Sequence, residues 1–232
     1  LALEKKAEEV REQLIRAIRL VGVITIPSAV AFLLFGPLIT SVLFIGIPLE
    51  DSRYIGYVLA ALSFGLVAFS INLILIRGFN AFEDTRTQVI SILIINIIAV
   101  GLSYLSLATL RNQWVTIGLG AAFSISYLLG LFVTLSLLKK HTGKISLKDF
   151  GGQHLRLFGA SFGVMLPLFA LTQYLDWVGV EMSKIARLGE LAVVMGAAFI
   201  GYLIAGKAAG VEEITMIRHL KNSVLRRPGA AE

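Results

Sequence analysis

The sequence predicts an all-α integral membrane protein, a bundle of about six transmembrane helices with amphipathic helices at both ends. Of its 232 residues, 56% are hydrophobic and only 16% charged, and the mean hydropathy is +0.82. Soluble domains hold less apolar and more charged surface, so the excess must face lipid. Six long intervals free of Asp, Glu, Lys and Arg interrupt the chain, each near the roughly 20 residues that a helix needs to cross a bilayer core about 30 Å thick. Lysine and arginine gather at alternate junctions between those intervals, as in a protein that threads the membrane repeatedly.

Residues 1–19 carry Ala7, Val10, Leu14 and Ile18 at helical steps among charges. This predicts an amphipathic lead-in helix that either lies on the inner leaflet or packs on the rest of the protein. The charged start at Leu1 lacks the basic region, short apolar core and cleavage site of a signal peptide, and the chain is expected to be part of a longer one.

Four spans fill residues 20–138. The first, Leu20 to Leu49, holds Pro27 and Gly36-Pro37, candidate hinges that should kink or break the helix because proline lacks an N–H and crowds the preceding turn. Tyr54 to Ile76, Thr87 to Leu110 and Asn112 to Leu138 are full-length spans. A basic loop is expected over 139–153. An extra helix pair follows over 154–206, with spans Leu157 to Leu175, containing Pro167, and Leu191 to Gly206. The latter is short enough to need Leu188, Gly189 and Glu190 in its outer turn. Residues 207–232 read as a second basic amphipathic helix, with Ile214, Ile217, Leu220 and Val224 in step, and a tail.

With the amino terminus inside, seventeen of the 21 Lys and Arg fall in inner segments, and only Arg53, Arg111, Lys184 and Arg187 lie outside. That bias predicts an even number of spans with both ends cytoplasmic. The net charge of +6 does not form a soluble basic patch with interleaved aromatics, so membrane phospholipid rather than nucleic acid is the expected anionic neighbour.

Chemistry-bearing motifs are sparse. The chain has no cysteine, and His141, His154 and His219 lack metal-ligand spacing, so no metal or cofactor is expected. Gly159-Ala160-Ser161-Phe162-Gly163 matches the serine-hydrolase G-x-S-x-G, but it sits inside a span and lacks the strand-turn-helix elbow. The same residues make a G-x-x-x-G face that predicts close helix packing, as do Gly118, Gly120 and Ala122, and Ala197 with Gly201. The spans carry neither paired carboxylates nor a histidine cluster, which argues against an enzyme. Asn72 and Asn96, deep in spans, must find hydrogen-bond partners, either across helices or in a wet cavity that touches a polar substrate.

The inner loop Arg77-Gly78-Phe79-Asn80-Ala81-Phe82-Glu83-Asp84-Thr85-Arg86-Thr87-Gln88 is the most distinctive stretch. On physics alone it is a corner in which Asp84 or Thr85 caps the next helix. It resembles the corner of the MurJ/MviN family, lipid II flippases of the multidrug/oligosaccharidyl-lipid/polysaccharide exporter superfamily, which commonly reads G-F-Y-A-x-x-D-T-[KR]-T-P. Asn80 stands in place of the common tyrosine and Gln88 in place of the proline. Upstream, Arg19-Leu20, Pro27-Ser28-Ala29-Val30-Ala31, Gly36-Pro37-Leu38 and Leu43-Phe44 resemble the family's R-L, P-S-A-V-A, G-P-L and L-F at similar spacing.

The resemblance implies the last six of fourteen helices: four of the C-terminal lobe plus an extra pair whose apolar groove holds a polyprenyl tail. It implies translocation of lipid II, or a related polyprenyl-diphosphate glycolipid, across the bacterial cytoplasmic membrane by alternating access. The cations that meet the diphosphate would lie on helices upstream. Asn72, Arg77, Asn80, Asp84, Arg86 and Asn96 are the candidate cavity or gate residues, and Pro27, Gly36 and Pro37 the candidate hinge. The alternatives are an exporter of another polyprenyl-linked glycan, or a non-transporting scaffold that recruits cytoplasmic cell-wall regulatory proteins.

Overall fold

The computed structural model describes residues 2–44, 46–177 and 184–211. Six helices follow in order: α1 (Ala2–Leu43), α2 (Leu49–Ala81), α3 (Thr85–Thr109), α4 (Asn112–Thr142), α5 (Lys148–Trp177) and α6 (Lys184–Ala208). All six are long and apolar enough to cross a membrane, and no strand occurs among the described residues. The expected amphipathic helix and tail near the carboxy terminus fall outside the described residues.

The expected lead-in helix and first span are one continuous helix. Its apolar stripe runs unbroken from Leu14 and Ile18 into Val23, Ile26 and Val30, all buried. Leu14 and Ile18 pack with Ile71, Leu75 and Phe79 of α2, Leu138 of α4 and Phe150 of α5. Of the two readings for the lead-in helix, the structure has packing on the protein at Leu14 and Ile18. The helix is also continuous through Pro27 and Pro37, so of the expected kink or break it does not break. Proline removes one backbone bond, and neighbouring helices can satisfy the freed carbonyl. The basic loop is likewise shorter than 139–153, because α4 runs to Thr142 and α5 starts at Lys148. Gly143 ends α4 in the left-handed region, at φ 71°. At the short sixth span, Leu188, Gly189 and Glu190 do belong to α6.

Small residues set how closely the helices approach. A Cβ on Gly36 would stand 2.5 Å from the Gly56 carbonyl oxygen, and one on Gly56 would land on the Pro37 backbone, so α1 and α2 touch main chain to main chain. Gly118 packs on Leu110 and Ser106, Gly120 on α2 beside Ala61, and Gly201 on Val164 of α5. Ala122 is buried, whereas Ala197 is exposed. The G-x-x-x-G face of α5 corrects the expectation outright: Gly159 and Gly163 are exposed, with open space where a Cβ would stand. The buried member of that motif is Ser161, whose hydroxyl donates to the Leu157 carbonyl. The helix turns this way because Leu157, Ser161 and Met165, spaced by four, form the face that meets α1.

α1 lies between two groups of helices. One of its faces packs on α2 and touches α4, and α3 joins this group chiefly through α4. Its other face receives α5 and α6 through the clusters Val23–Ile26–Leu157–Tyr202 and Val30–Phe35–Met165–Val194–Ala198. An ion pair, Arg53–Asp176 at 3.0 Å, ties the start of α2 to the end of α5.

Candidate functional site

Where α5 and α6 meet α1 they leave an apolar groove of about 510 Å³ beside Pro27. Its walls are Val23, Ile24 and Ala31 of α1, Met165 of α5, and Met195, Ala198, Phe199 and Leu203 of α6. The residue types suit an unbranched or isoprenoid hydrocarbon, since thioethers and methyls adapt to an irregular chain without asking for hydrogen bonds.

The polar feature at the groove wall meets the carbonyl that Pro27 leaves free. Pro27 cannot donate to the carbonyl four residues back, that of Val23. The Tyr202 hydroxyl, on a side chain only 3% exposed, donates to that carbonyl at 2.7 Å. A residue of the extra helix pair thus completes the backbone of α1 at the candidate hinge. Thr25 and Ser28 donate back to the Val21 and Ile24 carbonyls, a pattern that bends helices. At the other end of α1, Thr40 donates to Gly36 and to the Ser52 carbonyl of α2, binding the Gly36-Pro37 segment to its neighbour.

The corner between α2 and α3 is built from two interlocked caps. Asp84 N–H donates to the Phe79 carbonyl and Glu83 N–H to that of Asn80, with Glu83 left-handed at φ 57°. This is the bond pattern that closes a helix carboxy terminus. The next side chain starts α3: Asp84 accepts from the Thr87 N–H at 3.0 Å, as an N-cap does. Its other carboxylate oxygen lies 2.7 Å from His141 Nε2 at the end of α4. The His141 ring stacks on Phe82 and meets Phe79 edge-on. The Thr87 side chain, then its backbone N–H, then His141 hold the Asp84 carboxyl below its ordinary 3.8, at about 2, so it is ionised at neutral pH.

The candidate residues do not converge on one cavity. Asn72 is buried between helices, its amide donating to Ala68 and Tyr127 carbonyls at 3.0 and 3.1 Å and accepting from Thr134 at 2.8 Å. Thr134 lies 2.8 Å from Ser91, so one chain of polar groups links α2, α4 and α3. That is interhelical pairing, one of the two roles open to Asn72 from sequence. Asn96 points outward on α3 and donates to its own helix at Ile92. Arg77, Asn80 and Arg86 are exposed around the corner, with Asp84 half-buried among them.

Compared with known protein families, residues 1–186 match the family described as lipid II flippase MurJ. The match spans α1 to α5 and reaches the first residues of α6. The chain belongs to the MurJ family. Comparison with curated proteins and with solved structures gave no match. Membership, with six helices among the described residues long and apolar enough to cross a membrane, makes this a multi-pass membrane protein of a flippase family, whose described substrate is lipid II.

Within this MurJ-family fold, sequence reasoning missed Tyr202, Thr134, Ser91 and His141. The signal for Tyr202 was legible in principle: a proline inside a span frees a carbonyl at a known position, and a buried tyrosine needs an acceptor. Which helix would bring the two together was not.

Proposed function

We propose that this chain contributes four helices of one lobe and an extra helix pair to a flippase that moves lipid II across the cytoplasmic membrane by alternating access. The observation that carries the reading is the apolar groove at Pro27, formed between α1 and the α5–α6 pair in a chain of this family. The polyprenyl tail lies in that groove, because a long hydrocarbon needs only apolar contact open to lipid, whereas a diphosphate needs cations in a watered cavity. The groove walls lack cations, so the headgroup is held elsewhere in the assembled transporter. Both ends of this chain face the cytoplasm, a reading supported by the concentration of lysine and arginine on one side.

α1 is the moving element in this reading. Pro27, Gly36 and Pro37 let it bend as the cavity switches sides, and the corner Arg77 to Arg86, anchored by Asp84 and His141, steadies the inner gate. The test is outer-face accessibility of lipid II in cells depleted of their own flippase and supplied with the full-length protein. Labelled lipid II should return to the outer face. If it stays inside while the protein is inserted and abundant, another glycolipid or a scaffold role accounts for the fold. Pro27→Ala should slow transport without preventing insertion, and wild-type transport by that variant would remove the gating role.

A further inference from the structure

A second cavity, of about 350 Å³, opens at the other end of the α1–α5 contact, on the face that carries the corner and the start of α5. Its chemistry is the reverse of the groove. Arg19 of α1 and Lys148 and Arg156 of α5 line it, together with Gly152, Gln153 and Asp149. Lys148, Gly152 and Arg156 are spaced by four, so they share one helix face. Gly152 has open space where its Cβ would stand, which leaves the floor between the two cations clear.

Among the described residues the acid that lines the cavity, Asp149, is already committed. The Asp149 carboxylate accepts from the Ser146 N–H at 2.8 Å and lies 3.6 Å from the Arg11 guanidinium. Arg19 spends its Nε at 3.0 Å, and its Nη2, on the Asp149 backbone carbonyl rather than on a carboxylate, so the bond orients its charge without neutralising it. Gln153 donates to the Arg19 carbonyl at 3.2 Å and fixes the wall. The cavity is therefore cationic and preformed. Lys148 and Arg156 are exposed at its mouth. Between them, one residue before Arg156, Leu155 faces outward and is 74% exposed. Cations at the first turns of a spanning helix, with exposed hydrocarbon beginning next to them, sit at the depth of lipid phosphates.

We propose that this cavity is a headgroup site for an anionic phospholipid of the adjoining leaflet, its phosphate among Arg19, Lys148 and Arg156 and its acyl chains along the outward face of α5. The site is separate from the tail groove and does not depend on the direction or substrate of transport. A lipid bound there bridges α1 and α5 at the basic end of the bundle and fastens the extra helix pair to the lobe.

The experiment places the full chain in nanodiscs of phosphatidylcholine containing phosphatidylglycerol and counts retained lipids by native mass spectrometry after release. The wild type should keep phosphatidylglycerol in preference to phosphatidylcholine. The double variant Lys148→Gln/Arg156→Gln should lose about 25-fold in that retention, at about fivefold per surface cation removed. Lys148→Arg/Arg156→Lys should hold it, and so should Lys140→Gln, which deletes an exposed charge on α4 outside the cavity. Equal retention of the two lipids overturns the proposal, as does an equal loss in Lys140→Gln, which would mean diffuse surface attraction. Displacement of phosphatidylglycerol by millimolar inorganic phosphate would also overturn it, because the cavity would then be reading a free anion.

Discussion

Removing the Tyr202 hydroxyl tests whether the extra helix pair supports the α1 proline. In the wild type the Val23 carbonyl has no in-helix donor, because Pro27 stands four residues on, and Tyr202 supplies one at 2.7 Å. Tyr202→Phe keeps the ring, which is 3% exposed and packed with Val23, Ile26 and Leu157, and deletes only the donor. Leaving a buried acceptor unpaired costs about 1–3 kcal/mol in soluble proteins, whereas interhelical bonds in a bilayer average about 0.6 and reach about 1.7 kcal/mol. A loss of about 1 kcal/mol is therefore expected. In a Pro27→Ala background the new N–H reaches the Val23 carbonyl within the helix, and Tyr202→Phe should then cost less than about 0.5 kcal/mol. Reversible unfolding in mixed micelles, titrated with denaturing detergent, measures all four corners of the cycle. A Tyr202→Phe penalty that is equal in the two backgrounds would refute the claim that the hydroxyl replaces the bond lost to proline.

The other predictions concern the packing and the corner. Gly56→Ala should cost several kcal/mol or prevent folding, because its Cβ meets the Pro37 backbone, whereas Gly159→Ala and Gly163→Ala should be neutral or gain up to about 1 kcal/mol of helix propensity, as thermal denaturation in detergent would register. Thr134→Val should lower stability by about 1 kcal/mol, and the loss should shrink in an Asn72→Leu background, since the two share one bond at 2.8 Å. The Asp84 carboxyl is depressed from 3.8 to about 2 on folding, so the stability it contributes is complete above about pH 4 and drains as pH falls toward 2. Asp84→Asn should flatten that part of the pH–stability curve, and an unchanged slope between pH 4 and 2 would mean the cap does not persist in solution.

Span number, span positions and the corner were legible from sequence because each rests on a local rule. Charge-free length predicts spanning helices, and four of the six charge-free intervals lie wholly inside one helix; Leu20 to Leu49 runs past the end of α1 at Leu43, and Leu110 lies one residue beyond α3. A helix cap at Asp84 or Thr85 follows from residue type and position, and the structure has it at Asp84. The motifs of the corner and of Arg19 to Phe44 pointed to the family that the comparison then matched. Tertiary structure decided the rest, because lipid-facing and helix-facing surfaces are both apolar and hydropathy alone does not separate them. So Gly36 and Gly56 are backbone contacts while Gly159 and Gly163, in a better-looking motif, face open space. Asn72 is locked between helices while Asn96, in an equally apolar span, looks outward. Pro27 was visible in the sequence as a missing donor, but that a tyrosine 179 residues away would reach the freed Val23 carbonyl was not. A single sequence specifies which groups need partners; only the packed bundle determines which helix brings the partner within 3 Å.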